Sequence, residues 1–297
     1  YGVARRGVLV KSPRLICRTH GLQPQKRLGQ NFLVDAGTAQ AIVERSGVRP
    51  DDIVVEIGPG LGALTVPLSR AVRSVIAIEK DAALVPVLGA QLLDAGIVNV
   101  RVIHADVLAT DLAALAREAG RPLTVFGNLP YNISSQVLIQ LIAARRLLPR
   151  AVLMFQKELS ARLRAAPGGR DYGRITAMLR YCAVIRRLAA VGAAHFFPVP
   201  KVDSEVLEIA FRTQLPYPEH DEARLFRLIA AGFGQRRKTL KNALCASELQ
   251  IRPETAERAL RQAGIDPVRR AETLSPEEFV ALEITLYGRS LDPAAER

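Results

Sequence analysis

The chain has 297 residues, of which 49% are hydrophobic, and it carries a formal net charge of +12. This length allows one large core with a smaller second unit, and no apolar run approaches the roughly 18–20 residues that span a membrane. The first 20 residues lack the continuous apolar stretch of a secretory signal, so we expect neither export nor a membrane partner. Cys17, Cys182, Cys245 and the four scattered histidines have no spacing typical of a disulfide framework or zinc site. A reduced, cytoplasmic protein without a metal is therefore expected.

Short β-rich runs alternate with helical patterns through the middle of the chain. Such alternation predicts βαβ units and an α/β fold with a mostly parallel, doubly wound sheet, whose last strand is a candidate for antiparallel pairing at an edge. The predicted strands are Ile53–Ile57, Val75–Glu79, Val100–His104, Leu123–Gly127, Ala151–Gln156, Val184–Val191 and Val206–Phe211. The predicted helices between them include Leu64–Ala71, Ala82–Ala95 and Ser134–Ala144.

A linker is predicted over Thr213–Glu219, because two prolines interrupt regular structure there. Only helical patterns follow it, which predicts a smaller helical second domain. The predicted division is an N-terminal extension over residues 1–21, an α/β domain over residues 22–212 and a helical domain over residues 213–297. The helical patterns cover Glu222–Phe233, Arg236–Ala246, Pro253–Ala263 and Pro276–Tyr287.

A glycine-rich turn follows the first predicted strand. Gly58, Gly60 and Gly62 stand directly before a helical pattern, where glycines allow the backbone to approach a nucleotide at a helix N-terminus. The spacing also fits the dinucleotide fingerprint, with Ala63 in the third glycine position. A purely structural turn would explain the glycines as well.

Acidic residues end or follow the next two predicted strands. Glu79 lies about 20 residues beyond the glycine turn, the distance expected for a carboxylate that accepts both ribose hydroxyls. Asp106 follows the third strand, where an acid can accept an adenine N6–H bond, as is typical of enzymes that use S-adenosylmethionine and not of dinucleotide enzymes. A helix cap or a solvated turn would explain either acid alone. Two acids on consecutive strand ends favour a shared ligand.

The fourth predicted strand ends in Asn128-Leu129-Pro130-Tyr131. The amino group of adenine is a poor nucleophile, because its lone pair is delocalised into the ring. The Asn128 amide oxygen and the Leu129 carbonyl can each accept one of its N–H bonds and so localise the lone pair on nitrogen. Pro130 fixes the turn, and the Tyr131 ring can stack on the base. An ordinary turn that buries an aromatic ring would have the same residues.

Positive charge is concentrated in blocks along the chain. Residues 1–34 contain seven Lys/Arg and no acid, residues 140–190 contain eleven Lys/Arg and two acids, and residues 213–297 contain thirteen of each sign. Such blocks suit a polyanion, and we expect nucleic acid in preference to an anionic membrane surface. A solvated, arginine-rich face would have the same composition.

The chain resembles the bacterial KsgA-type small-subunit ribosomal RNA adenine dimethyltransferases over nearly all of residues 22–290. Besides the motifs above, the resemblance rests on Leu28-Gly29-Gln30-Asn31-Phe32-Leu33, Phe196-Phe197-Pro198-Val199-Pro200-Lys201-Val202-Asp203-Ser204 and Gln235-Arg236-Arg237-Lys238-Thr239-Leu240. It implies a Rossmann-like class I methyltransferase sheet with a smaller all-helical C-terminal domain that binds RNA.

The resemblance also implies an activity. Such an enzyme is a monomer that uses S-adenosylmethionine, without a metal, to dimethylate N6 of two adjacent adenosines in the 3′-terminal hairpin loop of 16S-type RNA. Its expected partner is small-subunit ribosomal RNA within a pre-30S particle, which links it to ribosome biogenesis. Bases of a loop can be splayed out at low energetic cost, as a reaction on the base requires.

Roles for individual residues follow from the same resemblance. The donor is expected to contact Asn31, Leu33, Gly58, Glu79, Asp106 and Asn128. The catalytic set is expected to be Asn128, Leu129, Tyr131 and Phe196. Phe196 would stack on the target adenine opposite Tyr131, although a core aromatic before a proline-rich turn is the alternative. Arg237 and Lys241 fall on one face of a predicted helix, so phosphate contacts, or else a solvated face, are expected at Arg236, Arg237, Lys238 and Lys241.

Three alternatives stay open. An NAD-dependent dehydrogenase would need a catalytic His or Tyr/Lys set in the second domain, and none is visible. A non-catalytic ribosome-assembly factor would have a damaged donor site, whereas every expected position is intact. A large-subunit adenine methylase of the antibiotic-resistance type shares the first domain, but it typically has Ile where this chain has Leu129.

Overall fold

A computed structural model describes residues 12–235 and 237–288. The chain divides into two compact units, of which the second comprises Ala161–Ala183 and the chain beyond residue 213. The first unit comprises the remainder. The division predicted from sequence differs from this one, because it assigned residues 161–183 to the α/β domain and treated residues 1–21 as a separate extension. Within the described ranges, no helix has the length and apolar character needed to cross a bilayer.

The described residues form nine strands and twelve α-helices. The strands are β1 (Phe32–Leu33), β2 (Ile53–Ile57), β3 (Ser74–Glu79), β4 (Val100–His104), β5 (Thr124–Asn128), β6 (Arg150–Gln156), β7 (Ala183–Val191), β8 (Phe196–Phe197) and β9 (Ser204–Phe211). The helices are α1 (Pro13–Thr19), α2 (Ala36–Ser46), α3 (Thr65–Ala71), α4 (Leu84–Asp94), α5 (Leu112–Glu118), α6 (Tyr131–Ala144), α7 (Lys157–Leu163), α8 (Arg174–Cys182), α9 (Glu222–Phe233), α10 (Leu240–Cys245), α11 (Pro253–Gln262) and α12 (Pro276–Tyr287).

Seven strands form the central sheet, in the order β4-β3-β2-β5-β6-β9-β7. The first five are parallel to one another, and β9 is antiparallel to β6. The predicted, mostly parallel sheet is confirmed, but the antiparallel strand is not at its edge, since β9 lies between β6 and β7. Almost all of β9 is buried, as an interior strand requires. Val54 and Val55 of β2 are fully buried too, as expected for a parallel sheet covered on both faces.

The carboxyl ends of four parallel strands reach the same edge of the sheet. Ile57 pairs with Ile78 on one side and with Gly127 on the other, and Glu79 pairs with His104. A side chain at Gly127 would not fit, because its Cβ would lie 2.8 Å from the carbonyl oxygen of Ile57. The turns that follow β2, β3, β4 and β5 therefore open side by side.

A small antiparallel sheet joins two segments that are distant in sequence. Phe32 of β1 pairs with Phe197 of β8, and Leu33 pairs with Phe196. Because side chains alternate across a strand, Leu33 and Phe196 enter one buried cluster, whereas Phe32 and Phe197 belong to another. Two-residue strands carry no hydrophobic period, so the sequence did not predict either strand.

Aromatic rings join α8 and the turn before it to the C-terminal helices. The Tyr172 ring lies 5.9 Å from the ring of Phe233, which lies 6.2 Å from that of Phe279. Tyr181 stacks on Tyr217 with 5.0 Å between the ring centroids. These contacts explain why α8 belongs to the helical unit, although it precedes the last strands of the sheet.

Candidate active site

The turn after β2 depends on Gly58 and Gly60. Their φ angles are 67° and 56°, a region that side-chain-bearing residues rarely adopt. A Cβ on Gly60 would also lie 3.1 Å from the Phe32 ring, so the turn packs closely against the segment that contains β1. The Gly60 N–H donates to Oε2 of Glu79 at 3.0 Å. This bond ties the glycine turn to the end of β3.

The carboxylate of Glu79 is buried at the end of β3. Its Oε1 accepts from the N–H of Asp81 at 2.8 Å, in addition to the bond from Gly60 to Oε2. Burial raises the pKa of Glu79, against the lowering effect of these backbone donors. A carboxylate has about four lone-pair positions, so Glu79 can still accept the two hydroxyl groups of a ribose.

Asp106 follows β4 and has two partners. Its Oδ1 accepts from the N–H of Leu108 at 3.0 Å, which caps a short turn, and its Oδ2 accepts from Nζ of Lys80 at 2.7 Å. The hydrogen bond from the Lys80 ammonium holds the pKa of Asp106 below its ordinary value. Asp106 is therefore a cap, one of the two alternatives weighed from the sequence, and it also lines the same pocket as Glu79.

Asn128 is the last residue of β5, and its amide group is oriented by a distant segment. Its Nδ2 donates to the main-chain carbonyl of Asn31 at 3.1 Å. Its amide oxygen has no hydrogen bond to a described residue, and thus it is available as an acceptor. The next residue, Leu129, is buried, and its N–H donates to the carbonyl of Met154 at 3.2 Å. The turn is thereby anchored to β6.

Two glutamines before β1 attach that segment to the sheet. The side-chain amides of Gln25 and Gln30 both donate to Oδ2 of Asp81, at 2.9 and 2.7 Å. The N–H of Asp81 also donates to Glu79. The two glutamine bonds therefore link the segment before β1 to the carboxylate that is expected to bind the ribose. Sequence reasoning missed Gln25 and Asp81, and no local pattern could have joined residues 56 positions apart.

A close backbone contact brings Asn31 to Asn128. Gly29 has a φ of 64°, and a Cβ there would lie 2.9 Å from Cβ of Pro130. The glycine of the first resemblance motif therefore lets the segment lie directly on the turn after β5.

Two of the expected site residues face the core. Leu33 is 5% exposed and Phe196 is 3% exposed, and both belong to a buried cluster beneath the small sheet. Pairing with Leu33 turns the Phe196 ring inward, as the alternative of a core aromatic expects, so stacking on a base opposite Tyr131 stays a prediction. The side chain of Leu33 is likewise absent from the pocket surface. Tyr131, the first residue of α6, is 55% exposed.

One pocket lies at the carboxyl edge of the sheet. Its lining includes five of the residues expected to hold the donor: Asn31, Gly58, Glu79, Asp106 and Asn128. Apolar walls come from Phe32, Ile57, Ile78, Leu84 and Val107. An apolar cleft with a few convergent polar groups suits a nucleoside with a polar tail. Among the residues that the structure describes, no cluster of three or more His, Cys, Asp or Glu could hold a metal ion.

Helix α10 begins later in the chain than the sequence predicted, and this removes the expected phosphate-binding face. Thr239 is the N-cap and its hydroxyl accepts from the N–H of Asn242, so the helix begins at Leu240 and not at residue 236. Arg237 and Lys238 consequently precede the helix, and both are exposed. The predicted shared helical face is therefore wrong.

The two other predicted phosphate contacts have different outcomes. Lys241 lies in the first turn of α10, and its Nζ donates to Glu257 at 3.1 Å. Its charge is thus partly neutralised within the helical unit. Arg236 lies outside the described residues.

Comparison with known proteins agrees with this geometry. A model of the family described as ribosomal RNA adenine dimethylase matches residues 21–287. The ribosomal RNA small subunit methyltransferase A of Desulforapulum autotrophicum is 47% identical over 281 residues, 95% of this chain and 96% of the relative. The protein of the same name from Myxococcus xanthus is 42% identical, over 93% of this chain and 96% of the relative.

Two solved structures share most of the fold. A dimethyladenosine transferase from Plasmodium falciparum superposes with a TM-score of 0.70 at 25% identity, covering 84% of this chain and 95% of that one. The 23S rRNA methyltransferase ErmE superposes with a TM-score of 0.64 at 27% identity, covering 86% of this chain and 99% of that one.

The sheet order, the glycine turn and the two carboxylates define a Rossmann-like methyltransferase of the class that uses S-adenosylmethionine. The family model matches almost the whole chain, which allows the protein to be assigned to a family within this class. The chain belongs to the ribosomal RNA adenine dimethylase family. The resemblance based on separate motifs and the predicted enzyme class are both confirmed.

Proposed function

We propose that this protein transfers methyl groups from S-adenosylmethionine to N6 of two adjacent adenosines in the 3′-terminal hairpin loop of small-subunit ribosomal RNA, twice at each base. The names of the Desulforapulum and Myxococcus relatives support a small-subunit substrate. The protein acts as a cytoplasmic monomer on a pre-30S particle, as part of small-subunit biogenesis.

One observation carries the proposal, namely the hydrogen bond from Nδ2 of Asn128 to the carbonyl of Asn31. This bond orients the amide, because one of its two N–H groups donates to the Asn31 carbonyl and the oxygen stands at the opposite end of the group. The remaining oxygen can only accept, and an acceptor is what an amino group needs. A site for a carbonyl or phosphate substrate would instead present a donor there.

The residues present fit the methyl donor. Glu79 is placed to accept the ribose hydroxyls, Asp106 to accept the adenine N6–H, and Asn31 and Gly58 to flank the methionine end. When bound, S-adenosylmethionine supplies an electrophilic methyl group, whose bond to sulfur breaks as the bond to the target nitrogen forms. Apolar residues line the pocket in which the reacting atoms would meet.

The chain contributes positioning and acceptors to the transfer. The Asn128 oxygen and the Leu129 carbonyl each accept one N–H bond of the target amine, which localises its lone pair toward the donor. The exposed Tyr131 ring offers a face on which the extruded base can stack. No strong base is needed, since an alkylated amine that still carries its extra proton is acidic enough to lose it to water.

The proposal is tested with labelled methyl donor and 30S particles that lack the modification, followed by mapping of the modified nucleosides. Label is expected in dimethyladenosine at two adjacent positions of the small-subunit RNA. Parallel incubation with 50S particles separates this activity from a resistance-type methylase, which would label the large-subunit RNA instead. Tight binding to the 30S particle without any transfer would contradict an enzyme and favour an assembly factor.

A further inference from the structure

Helix α1 presents two arginines on its outer face. Ser12 caps the helix by accepting from the N–H of Leu15, and Ile16 and Cys17 are buried beneath it. Arg14 and Arg18 are exposed, and neither forms an ion pair with a residue that the structure describes. The family match begins at residue 21, so α1 lies outside the matched region.

The buried face of α1 is attached to the wall of the donor pocket. Ile16 and Cys17 form one apolar cluster with Phe32, Leu61 and Leu84, to which Val87 also belongs. Phe32 and Leu84 line the pocket itself. The buried face of the helix therefore packs into the same apolar cluster that supplies part of this wall.

Arg14 contacts an aromatic ring of the small sheet. Its guanidinium carbon lies 5.3 Å from the ring centroid of Phe197, a distance typical of a cation–π contact. Phe197 pairs directly with Phe32 across the small sheet. On the same segment, Arg27 lines the pocket. Arg27 thus adds a cation at the pocket, on the segment that follows α1.

We propose that the outer face of α1, defined by Arg14 and Arg18, binds phosphates of the RNA strand that carries the target adenosines. The argument rests on the proposed function and adds a contact surface to it. Residues 1–34 contain no acid, so no nearby carboxylate in that part of the chain competes for these arginines. A guanidinium fork is well suited to phosphate oxygens, and a helix that is already packed loses little entropy when RNA binds.

The test measures binding to unmethylated 30S particles at several salt concentrations, using the double variant Arg14→Glu/Arg18→Glu. Each phosphate contact to a single strand contributes about 0.7 to the slope of log affinity against log salt, so the slope should fall by about 1.4. Affinity near 0.1 M salt should fall roughly tenfold. The affinity for the methyl donor, measured without RNA, should stay within about twofold.

A matched control reverses two exposed arginines at the opposite edge of the sheet. Arg70 and Arg73 lie before β3 begins at Ser74, whereas the pocket is formed at the carboxyl ends of the strands. Arg70→Glu/Arg73→Glu makes the same change in net charge and should leave the salt slope within experimental error. An equal loss in both double variants, or no loss at Arg14 and Arg18, would overturn the proposal.

The test can still be interpreted if the charge-reversed variant does not fold or if the proposed function fails. If the double reversal does not fold, Arg14→Gln/Arg18→Gln should still lower the salt slope, because it removes the cations without adding acids. Failure of the proposed function is distinguishable, since it would appear as absence of methyl transfer by the wild-type protein. Failure of the α1 surface would appear as unchanged particle binding by an enzyme that is otherwise active.

Discussion

The ammonium group of Lys80 donates to Oδ2 of Asp106 across 2.7 Å, at the end of the pocket where the adenine of the methyl donor is expected to bind. Both side chains are partly exposed, 54% for Lys80 and 34% for Asp106. Oδ1 accepts from Leu108 and Oδ2 from Lys80, so an adenine N6–H would bind a carboxylate whose charge Lys80 already partly neutralises. When the donor binds, Lys80 must therefore either move away from Asp106 or share its carboxylate with the adenine.

Lys80→Met, which keeps an apolar stem, should tighten donor binding. A partly exposed ion pair is worth about 0.2–1 kcal/mol, so the dissociation constant should fall by up to about fivefold.

Asp106→Ala should weaken binding by about tenfold or more, because a charge-assisted hydrogen bond is lost. Calorimetry on the two single variants and the double variant completes a thermodynamic cycle, in which Lys80→Met should have no effect once Asp106 is absent. Weaker binding by Lys80→Met alone would mean that its ammonium contacts the donor directly.

Asn128→Ala should separate donor binding from methyl transfer. The substitution removes the acceptor that the Asn31 carbonyl orients, so turnover should fall on the order of 100-fold, while Glu79 and Asp106 still hold the donor. Single-turnover transfer and donor calorimetry measure the two effects. Asn132→Ala is the control, since this exposed amide lines the same pocket and makes no bond to Asn31. Equal turnover in wild type and Asn128→Ala would refute the assigned role.

The strand-end residues could be predicted because each depends on local information. Glu79, Asp106 and Asn128 directly end or follow strongly patterned strands, and parallel order alone places such ends at one edge of a sheet. Gly58 was predictable for the same reason, because it stands between a strand and a helix. The fold class follows from the same alternation of strands and helices.

The contacts that complete the site could not be predicted in this way. Asp81 meets Gln25 and Gln30 only after the chain has folded, and no local period links such distant positions. The orientation of Phe196 depends on its register with Leu33 in strands of two residues, where a shift of one residue would reverse the side chain. The family resemblance therefore assigned Phe196 to the pocket, whereas its side chain is buried in the core.

Tyr131 and Phe196 should respond to truncation in opposite ways. Tyr131→Ala removes an exposed ring and should lower kcat/KM for RNA by about 5- to 150-fold, as expected from a lost stacking contact of about 1–3 kcal/mol, with little change in the free energy of unfolding. Tyr131→Phe should restore most of the activity. Phe196→Ala should instead destabilise the fold by about 3–5 kcal/mol, because it leaves a cavity in the core. A stable but inactive Phe196→Ala would restore the stacking role.

Arg237 and Lys238 should bind RNA more strongly than Lys241. Both precede α10 and are exposed, whereas Lys241 is engaged with Glu257. Arg237→Glu/Lys238→Glu should weaken particle binding in a salt-dependent way, and Lys241→Met should change it by less than about threefold. Salt titrations of binding to unmethylated 30S particles distinguish the two. A loss that is equal at every ionic strength would argue against phosphate contacts.

Glu56 should make the stability of the first unit depend on pH. It is the fourth of the five residues of β2 and is 1% exposed, and burial raises its pKa to about 7. Among the described residues, one of its carboxylate oxygens has no hydrogen-bond partner. Between its unfolded pKa of 4.5 and the folded value, the native protein binds more protons at this site than the unfolded chain does. The free energy of unfolding therefore falls as pH rises through this window, and it levels off above about pH 7.

Glu56→Gln isolates this contribution, since an amide does not titrate. The difference in unfolding free energy between variant and wild type should move in favour of the variant by on the order of 3 kcal/mol between pH 4.5 and pH 8. Urea denaturation at a series of pH values measures it, and Glu118→Gln serves as the control because that carboxylate is exposed on the surface. Parallel curves for wild type and Glu56→Gln would show that the buried carboxyl keeps an ordinary pKa. In that case water must reach the Glu56 side chain, either directly or after a movement of the backbone. The strand before the glycine turn would then be more open than its burial indicates.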